Sequence, residues 1–250
     1  MHFSLRSLCF LRPLGFVGTT LALAGLALAA TPAVAAVDLY TSSASFAAAA
    51  QTQGHTLLQE GFEDDATWGT VRSTINDGFH SAPSMMSQGV LWSSNFAGGE
   101  ITTSEGAARR GSWGLFSYPH GRYDGSPACD LPGVCGDGFS GQSSQGFYAI
   151  GGWIRTNTPP AELRLLVDGQ SYEFGADSQL GTGYAFFGAI SDTAFQQFEF
   201  REVEGTNGEM KFLFGDDFRF ALAPVPEPAS AALWLAGLGL LGFARRRRLR

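Results

Sequence analysis

Lysine is nearly absent from this sequence, and cysteine and histidine are scarce. Among 250 residues Lys211 is the single lysine, beside 3 cysteines and 4 histidines. Between residues 37 and 223, nine basic residues stand against twenty-two acidic ones, which leaves a net charge near −13. Because a surface of that sign repels nucleic acids and anionic membranes, we expect neither as a partner of this segment.

Familiar catalytic motifs are also missing. The sequence has no Gly-x-Ser-x-Gly, His-Glu-x-x-His or Gly-x-x-x-x-Gly-Lys pattern, so it gives no support to a serine hydrolase, a zinc protease or a P-loop enzyme. The acidic pairs Asp64-Asp65 and Asp216-Asp217 have the chemistry for glycoside hydrolysis. Adjacent residues on a strand point to opposite faces, however, so either pair on its own is a weak candidate for an active site. We therefore expect a non-catalytic protein.

Residues 1–36 have the composition of a secretory signal peptide. Arg6 and Arg12 precede an apolar stretch over 14–30, and small residues at 33–36 suit signal peptidase. This pattern predicts cleavage near residue 36 and export of the domain over 37–223; a permanent N-terminal anchor is the alternative.

The C-terminal residues 224–250 have three successive parts. They are a Pro-rich motif (Val225, Pro226, Glu227, Pro228), an apolar helix over 229–244 and a basic tail (Arg245, Arg246, Arg247, Arg248, Arg250). A helix of that length reaches about 24 Å, a little short of a ~30 Å hydrocarbon core, and snorkelling arginines can close the gap. The arginines predict that the tail stays in the cytoplasm.

This tail resembles the PEP-CTERM sorting signal of exported bacterial proteins. The resemblance implies recognition by a membrane-embedded exosortase, which cuts near the motif and releases or transfers the exported domain. It also implies export through the inner membrane of a Gram-negative host that makes exopolysaccharide, with a transient C-terminal anchor and a final place at the cell surface or outside the cell. A plain membrane anchor is the alternative.

The cysteines fit an oxidising compartment. Cys9 lies in the predicted signal peptide, which leaves Cys129 and Cys135 as one pair within a Gly- and Asp-rich loop predicted over 119–144. We expect a disulfide between them; a metal or redox site is the weaker alternative, because the spacing is wrong for a redox dithiol and no second pair accompanies it.

The exported segment reads as an all-β domain after one short helix. Residues 42–51 predict a capped helix. Short apolar or aromatic runs bounded by turn residues predict strands, and Asp168-Gly169 predicts a tight hairpin. In the last run, Phe212, Phe214, Phe218, Phe220 and Leu222 share one parity, which predicts that they line one face. The pattern predicts an antiparallel β-sandwich with a phenylalanine-rich core.

The segments 186–200 and 214–218 resemble the jelly-roll domains of PEP-CTERM proteins, which look like carbohydrate-binding modules. In such jelly rolls a structural calcium often joins an early glutamate to a late aspartate. The resemblance thus implies a Ca2+ site among Glu60, Glu63, Asp216 and Asp217; solvated turn carboxylates are the alternative.

Aromatic residues beside carboxylates suit a sugar ring, because the ring stacks and its hydroxyls find acceptors. This chemistry predicts a glycan site formed by Trp113, Tyr118, Tyr123, Asp124 and Trp153, although each residue also suits a core or rim position.

Together these features predict an exported, exosortase-sorted surface or extracellular-matrix protein that associates with exopolysaccharide. A dedicated lectin-like module is the first alternative, and a glycosidase-type enzyme is the second.

Overall fold

The computed structural model describes residues 36–96, 98–118, 138–203, 211 and 213–224. All of them belong to one compact unit that begins at Ala35. The predicted signal peptide through residue 35, the cysteine pair Cys129 and Cys135, and the sorting tail from residue 225 lie outside the described residues. The disulfide therefore stays a prediction.

The described residues form thirteen strands and two α-helices. In chain order the elements are β1 Val37–Tyr40, α1 Ser43–Thr52, β2 Leu58–Glu60, α2 Asp65–Trp68, β3 Arg72–Ser73, β4 Ser84–Ser87, β5 Val90–Ser94, β6 Glu100–Ser104, β7 Gly114–Tyr118, β8 Gly138–Thr156, β9 Ala161–Val167, β10 Gln170–Glu173, β11 Gln179–Leu180, β12 Ala185–Val203 and β13 Leu213–Leu222.

Two long strands, β8 and β12, run through both layers of a sandwich. The first half of β8 pairs with β5, and the second half of β12 pairs with β9. These halves also pair with each other, which gives a first sheet in the order β4-β5-β8-β12-β9-β10. The first half of β12 pairs with β1, and the second half of β8 pairs with β13. They give a second sheet in the order β1-β12-β8-β13-β7-β6-β3. The register shifts between Ile190 and Gln197, where β12 passes from one sheet to the other. Among the described strands every pair is antiparallel except β3 with β6, so the predicted antiparallel sandwich is confirmed.

Phenylalanine fills the space between the two sheets, as predicted. The Phe218 ring from the second sheet contacts Trp92, Phe139 and Phe200 from the first, with ring centroids 5.0, 5.6 and 5.7 Å apart. All four side chains are fully buried. These edge-to-face and tilted contacts hold the two layers together, because aromatic pairs add stabilisation beyond the apolar area that they bury.

The prediction that one face of β13 carries all of its phenylalanines is wrong. The register shifts between Asp216 and Arg219, and Asp217 has a φ of 49°. This bulge turns Phe214 to the outer face of the sheet, while Phe218 and Phe220 are fully buried. A one-residue insertion exchanges the two faces, because side chains alternate along a strand.

The loop predicted over 119–144 also ends earlier than expected, because β8 begins at Gly138. Its first residues are rich in Gly and Ser, which are typical of turns. Packing favours glycine at position 141, since a Cβ would overlap the Phe198 ring and lie 2.9 Å from the Val90 Cγ1 atom. Gln142, Ser144 and Gln145 are exposed to solvent.

The predicted N-terminal helix is confirmed as α1. Ser42 caps it by accepting a hydrogen bond from the Ser45 backbone N–H. Its Phe46 side chain is fully buried against Phe186, with ring centroids 5.4 Å apart. The helix thereby covers part of the outer face of the second sheet.

Candidate functional site

A cavity of about 540 Å³ lies on the outer face of the first sheet. It is formed by β4, β5, β8 and β12 at the place where the two long strands bend. Its lining residues are Met86, Gly89, Leu91, Gln142, Ser143, Ser144, Gln145, Gln196 and Gln197. Among these described lining residues none carries a charge, and most of the polar atoms belong to amides and hydroxyls.

Strand register places four of these residues in a row across the sheet. Met86 lies opposite Leu91, Leu91 lies opposite Gln142, and Gln142 lies opposite Gln197. Neighbouring strands are about 4.8 Å apart, so the row is roughly 14 Å long. It runs from an apolar end to an amide end, perpendicular to the strands.

Four of the lining residues are glutamines, namely Gln142, Gln145, Gln196 and Gln197. Within the part of the chain that the structure describes, none of the four side-chain amides has a hydrogen-bond partner. Each amide offers two N–H donors and a carbonyl acceptor. A sugar hydroxyl also both donates and accepts, so this lining is chemically suited to a polyhydroxylated ligand.

The turn residue Asp168 fixes the two glutamines on β12. It follows β9 with a φ of 47°, and Gly169 has a φ of 80°, which confirms the predicted hairpin. The Asp168 Oδ1 atom accepts hydrogen bonds from the backbone N–H groups of Gln196 and Gln197, both at 2.9 Å. These groups lie in the bulge, where ladder bonds are interrupted, so the carboxylate replaces the missing acceptors.

The structure does not bring the predicted aromatic site together. The Arg72 guanidinium lies 4.2 Å above the Trp113 ring, and the Arg109 guanidinium lies 3.6 Å above the Trp153 ring. Each tryptophan therefore already has a cation on one face. Tyr123 and Asp124 lie outside the described residues.

Tyr118, the remaining aromatic of that prediction, is 45% exposed on the second sheet. Its ring contacts Phe79, which is 48% exposed, with centroids 4.7 Å apart. Phe116 and Phe214 continue this aromatic surface across β7 and β13, with centroids 5.7 Å apart. Nothing in the sequence groups Phe79 with Tyr118, because Phe79 follows the turn over 75–77 and is distant from β7 along the chain. This surface is on the opposite side of the sandwich from the glutamine cavity.

The two glutamates of the predicted calcium site bind groups of the protein itself. Glu60 lies opposite Phe218, so an early strand does pair with the last one, as expected. Its carboxylate accepts hydrogen bonds from the Phe62 N–H at 2.7 Å and from the Ser87 hydroxyl. Glu63 accepts bonds from the backbone N–H groups of Ser112 and Trp113 at 2.8 and 2.9 Å.

The two aspartates anchor the segment 105–113. Asp216 is fully buried and accepts hydrogen bonds from the backbone N–H groups of Arg109 at 2.6 Å and Arg110 at 3.0 Å. Asp217 forms an ion pair with the Arg109 side chain. Among the described residues, no three acidic, histidine or cysteine side chains are placed to hold a metal ion. The calcium site stays a prediction.

Burial raises the pKa of Asp216 to about 6, against the opposing effect of its backbone hydrogen bonds with Arg110, Arg109 and Asp217. The segment 105–113 lies over this carboxyl group. Tyr184 donates a hydrogen bond from its hydroxyl to the Ala107 carbonyl of the same segment, and burial raises the pKa of Tyr184 to about 12. These contacts make Asp216 a structural anchor.

Comparison with known proteins identifies the C-terminal segment. Residues 224–248 match the PEP-CTERM protein-sorting motif, as the sequence predicted. No curated protein matches the chain. Within the described ranges no helix has the length and apolar character needed to cross a membrane.

A search of solved structures finds the CBM22-1 xylan-binding domain of Paenibacillus barcinonensis Xyn10C. The two chains share 15% sequence identity with a TM-score of 0.39, over 69% of this chain and 97% of that domain.

Proposed function

We propose that this protein is exported, sorted by an exosortase and retained at the cell surface or in the extracellular matrix, where it binds polysaccharide. The PEP-CTERM motif at residues 224–248 supports the route. Signal peptidase removes the N-terminal segment, the apolar helix over 229–244 holds the chain in the membrane, and the exosortase cuts near Pro226-Glu227-Pro228. Exopolysaccharide of a Gram-negative host is the proposed partner.

The binding role rests on one observation: four glutamines line one cavity, and no hydrogen-bond partner of their side-chain amides is found among the described residues. Exposed amides gathered on a sheet contribute little to folding, because water already satisfies them. They become useful when a ligand offers hydroxyl groups at matching positions. Met86 and Leu91 at the other end of the row supply apolar contacts for the C–H groups of a sugar ring.

We propose that this binding is not accompanied by catalysis. Glycoside hydrolysis needs two carboxyl groups about 5 to 9.5 Å apart beside the scissile bond, and no carboxylate is found among the described lining residues of the cavity. Asp216 is fully buried beneath the segment 105–113 and is therefore withdrawn from ligands.

The sorting half of the proposal is tested in a host that makes the matching exosortase. The full chain is expressed with and without that exosortase, and intact mass and fractionation are measured. We expect a form that ends near residue 228, found outside the cell together with exopolysaccharide, only when the exosortase is present. Full-length protein retained in the membrane of both strains would indicate that the C-terminal segment acts only as a membrane anchor.

A further inference from the structure

We infer that the glutamine cavity selects an uncharged, extended polysaccharide and discriminates against chains that carry carboxylate or sulfate groups. This inference rests on the proposed polysaccharide-binding function and adds the chemical class of its ligand. It is carried by three features of the described residues: the lining of the cavity, the pairing of the cations on the same sheet, and the direction of the residue row.

The lining offers hydrogen bonds but no countercharge. Its polar side chains are four glutamines and two serines. A carboxylate or sulfate that leaves water needs a cation or several directed N–H donors in exchange, and Arg or Lys is the usual partner. Removing a neutral hydroxyl group from water costs less free energy than removing an anion. An amide can supply both a donor and an acceptor for its hydrogen bonds.

In the described part of this sheet, Arg164 and Arg201 are each paired with a glutamate. Arg201 forms an ion pair with Glu199 and is only 2% exposed. Arg164, opposite Arg201 on β9, forms an ion pair with Glu173 at 3.4 Å. Neither side chain is therefore positioned to attract an anionic ligand to the cavity.

A negative charge lies beside the two glutamines on β12. Asp168 lies at the end of the row and already accepts hydrogen bonds from the backbone of Gln196 and Gln197. The segment 37–223 as a whole has a charge near −13. The Asp168 carboxylate and the overall negative charge both disfavour an anionic chain. Salt screens the repulsion by the overall charge beyond about 10 Å.

The row from Met86 to Gln197 sets the direction of the ligand. It crosses four strands and is roughly 14 Å long. A chain laid along it passes from the apolar side chains of Met86 and Leu91 to the amides of Gln142 and Gln197. An extended glycan of a few sugar units matches this arrangement, because each unit presents C–H groups on its faces and hydroxyls at its edge.

The test uses the full chain in a zwitterionic detergent that has no sugar headgroup. Retention is measured by affinity electrophoresis in gels that contain neutral polymers (xylan, β-glucan, mannan, dextran) or acidic ones (alginate, polygalacturonate, chondroitin sulfate), at low and high salt. We expect retention by at least one neutral polymer with little salt dependence, and none by the acidic polymers.

Two double variants and a matched control test the assignment to the cavity. Gln142→Ala with Gln197→Ala should weaken neutral binding roughly tenfold, because two directed hydrogen bonds are lost. Gln142→Lys with Gln197→Lys should weaken neutral binding and create salt-sensitive retention by acidic polymers. Gln170→Ala, an exposed glutamine on the edge strand of the same sheet, should leave binding unchanged.

The outcomes separate the inference from the proposed function. Retention by acidic polymers alone, abolished by the alanine double variant, would overturn the neutral-ligand inference and leave polysaccharide binding in place. Neutral binding that the alanine double variant does not alter would overturn the assignment to this cavity. Failure to bind any polymer of either class, or the host's exopolysaccharide, would overturn both.

Discussion

Asp168 and Gln197 are joined by two hydrogen bonds that run in opposite directions. The Gln197 N–H donates to the Asp168 carboxylate, and the Asp168 N–H donates to the Gln197 carbonyl, both at 2.9 Å. The pair connects the β9–β10 turn to the bulge in β12. It thereby holds one of the glutamines that line the cavity.

The first prediction concerns this positioning contact. Asp168→Gly removes the carboxylate without steric strain in the backbone, because glycine accepts a positive φ. We expect the free energy of unfolding to fall by about 1 kcal/mol and glycan affinity to fall severalfold under conditions where the variant is fully folded. Asp168→Asn keeps an acceptor oxygen and tolerates the backbone conformation, so it should restore binding. Equal affinity in the glycine variant and the parent would show that Asp168 does not position the site.

A second prediction concerns the close contact between glycine and phenylalanine in the core. A Cβ at Gly215 would lie 2.5 Å from the Phe139 Cζ atom and 2.6 Å from the Phe218 Cζ atom. Gly215→Ala should therefore lower the free energy of unfolding by about 1 to 3 kcal/mol, measured by urea denaturation. Gly183→Ala is the matched control, since nothing lies within 4 Å of its added Cβ. A Gly215 variant as stable as the control would contradict the packing described here.

A third prediction concerns pH. The pKa of Asp216 is raised by burial from 3.8 to about 6, so the folded chain binds this proton more tightly than the unfolded chain. The resulting stabilisation is complete below pH 3.8 and is lost as the pH rises through about 6. Between about pH 4 and pH 7 this one group should cost about 2 to 3 kcal/mol.

Asp216→Asn removes that titration. Its free energy of unfolding, although lower overall, should fall by less between about pH 4 and pH 7 than that of the parent chain. Asp177→Asn replaces an exposed carboxylate by the same amide and is the matched control. If the parent and the Asp216 variant lose stability equally over this range, the carboxyl group does not titrate as described.

Local sequence signals predicted several parts of the fold correctly. The Ser42 cap and the Asp168-Gly169 turn are both found as expected, because each depends on neighbours within a few residues. The strands β4 and β6 were missed, since their sequences Ser-Met-Met-Ser and Glu-Ile-Thr-Thr-Ser are too short and polar to stand out. The bulge at Asp216 and Asp217 was missed as well, because it is stabilised by hydrogen bonds from the distant segment 105–113.

The candidate site could not be predicted in the same way. Gln142 and Gln197 come from segments far apart in the sequence and are neighbours only through the register of β8 and β12. Their surroundings suggested a loop in one case and an ordinary strand in the other. The aromatic residues drew attention instead, yet Trp113 and Trp153 each carry a guanidinium on one face. Glutamines that lie opposite each other on adjacent strands can be recognised only when the strand order is known.

The most direct test of ligand binding at the glutamine cavity is a titration followed by NMR through the side-chain NH2 signals of glutamine. The full chain is titrated with an oligosaccharide of whichever polymer it retains. We predict that the signals of Gln142, Gln145, Gln196 and Gln197 shift together and saturably, while that of Gln170 stays in place. Shifts confined to residues around Phe79 and Tyr118, with the four glutamine signals unmoved, would place the ligand on the opposite sheet and contradict this prediction.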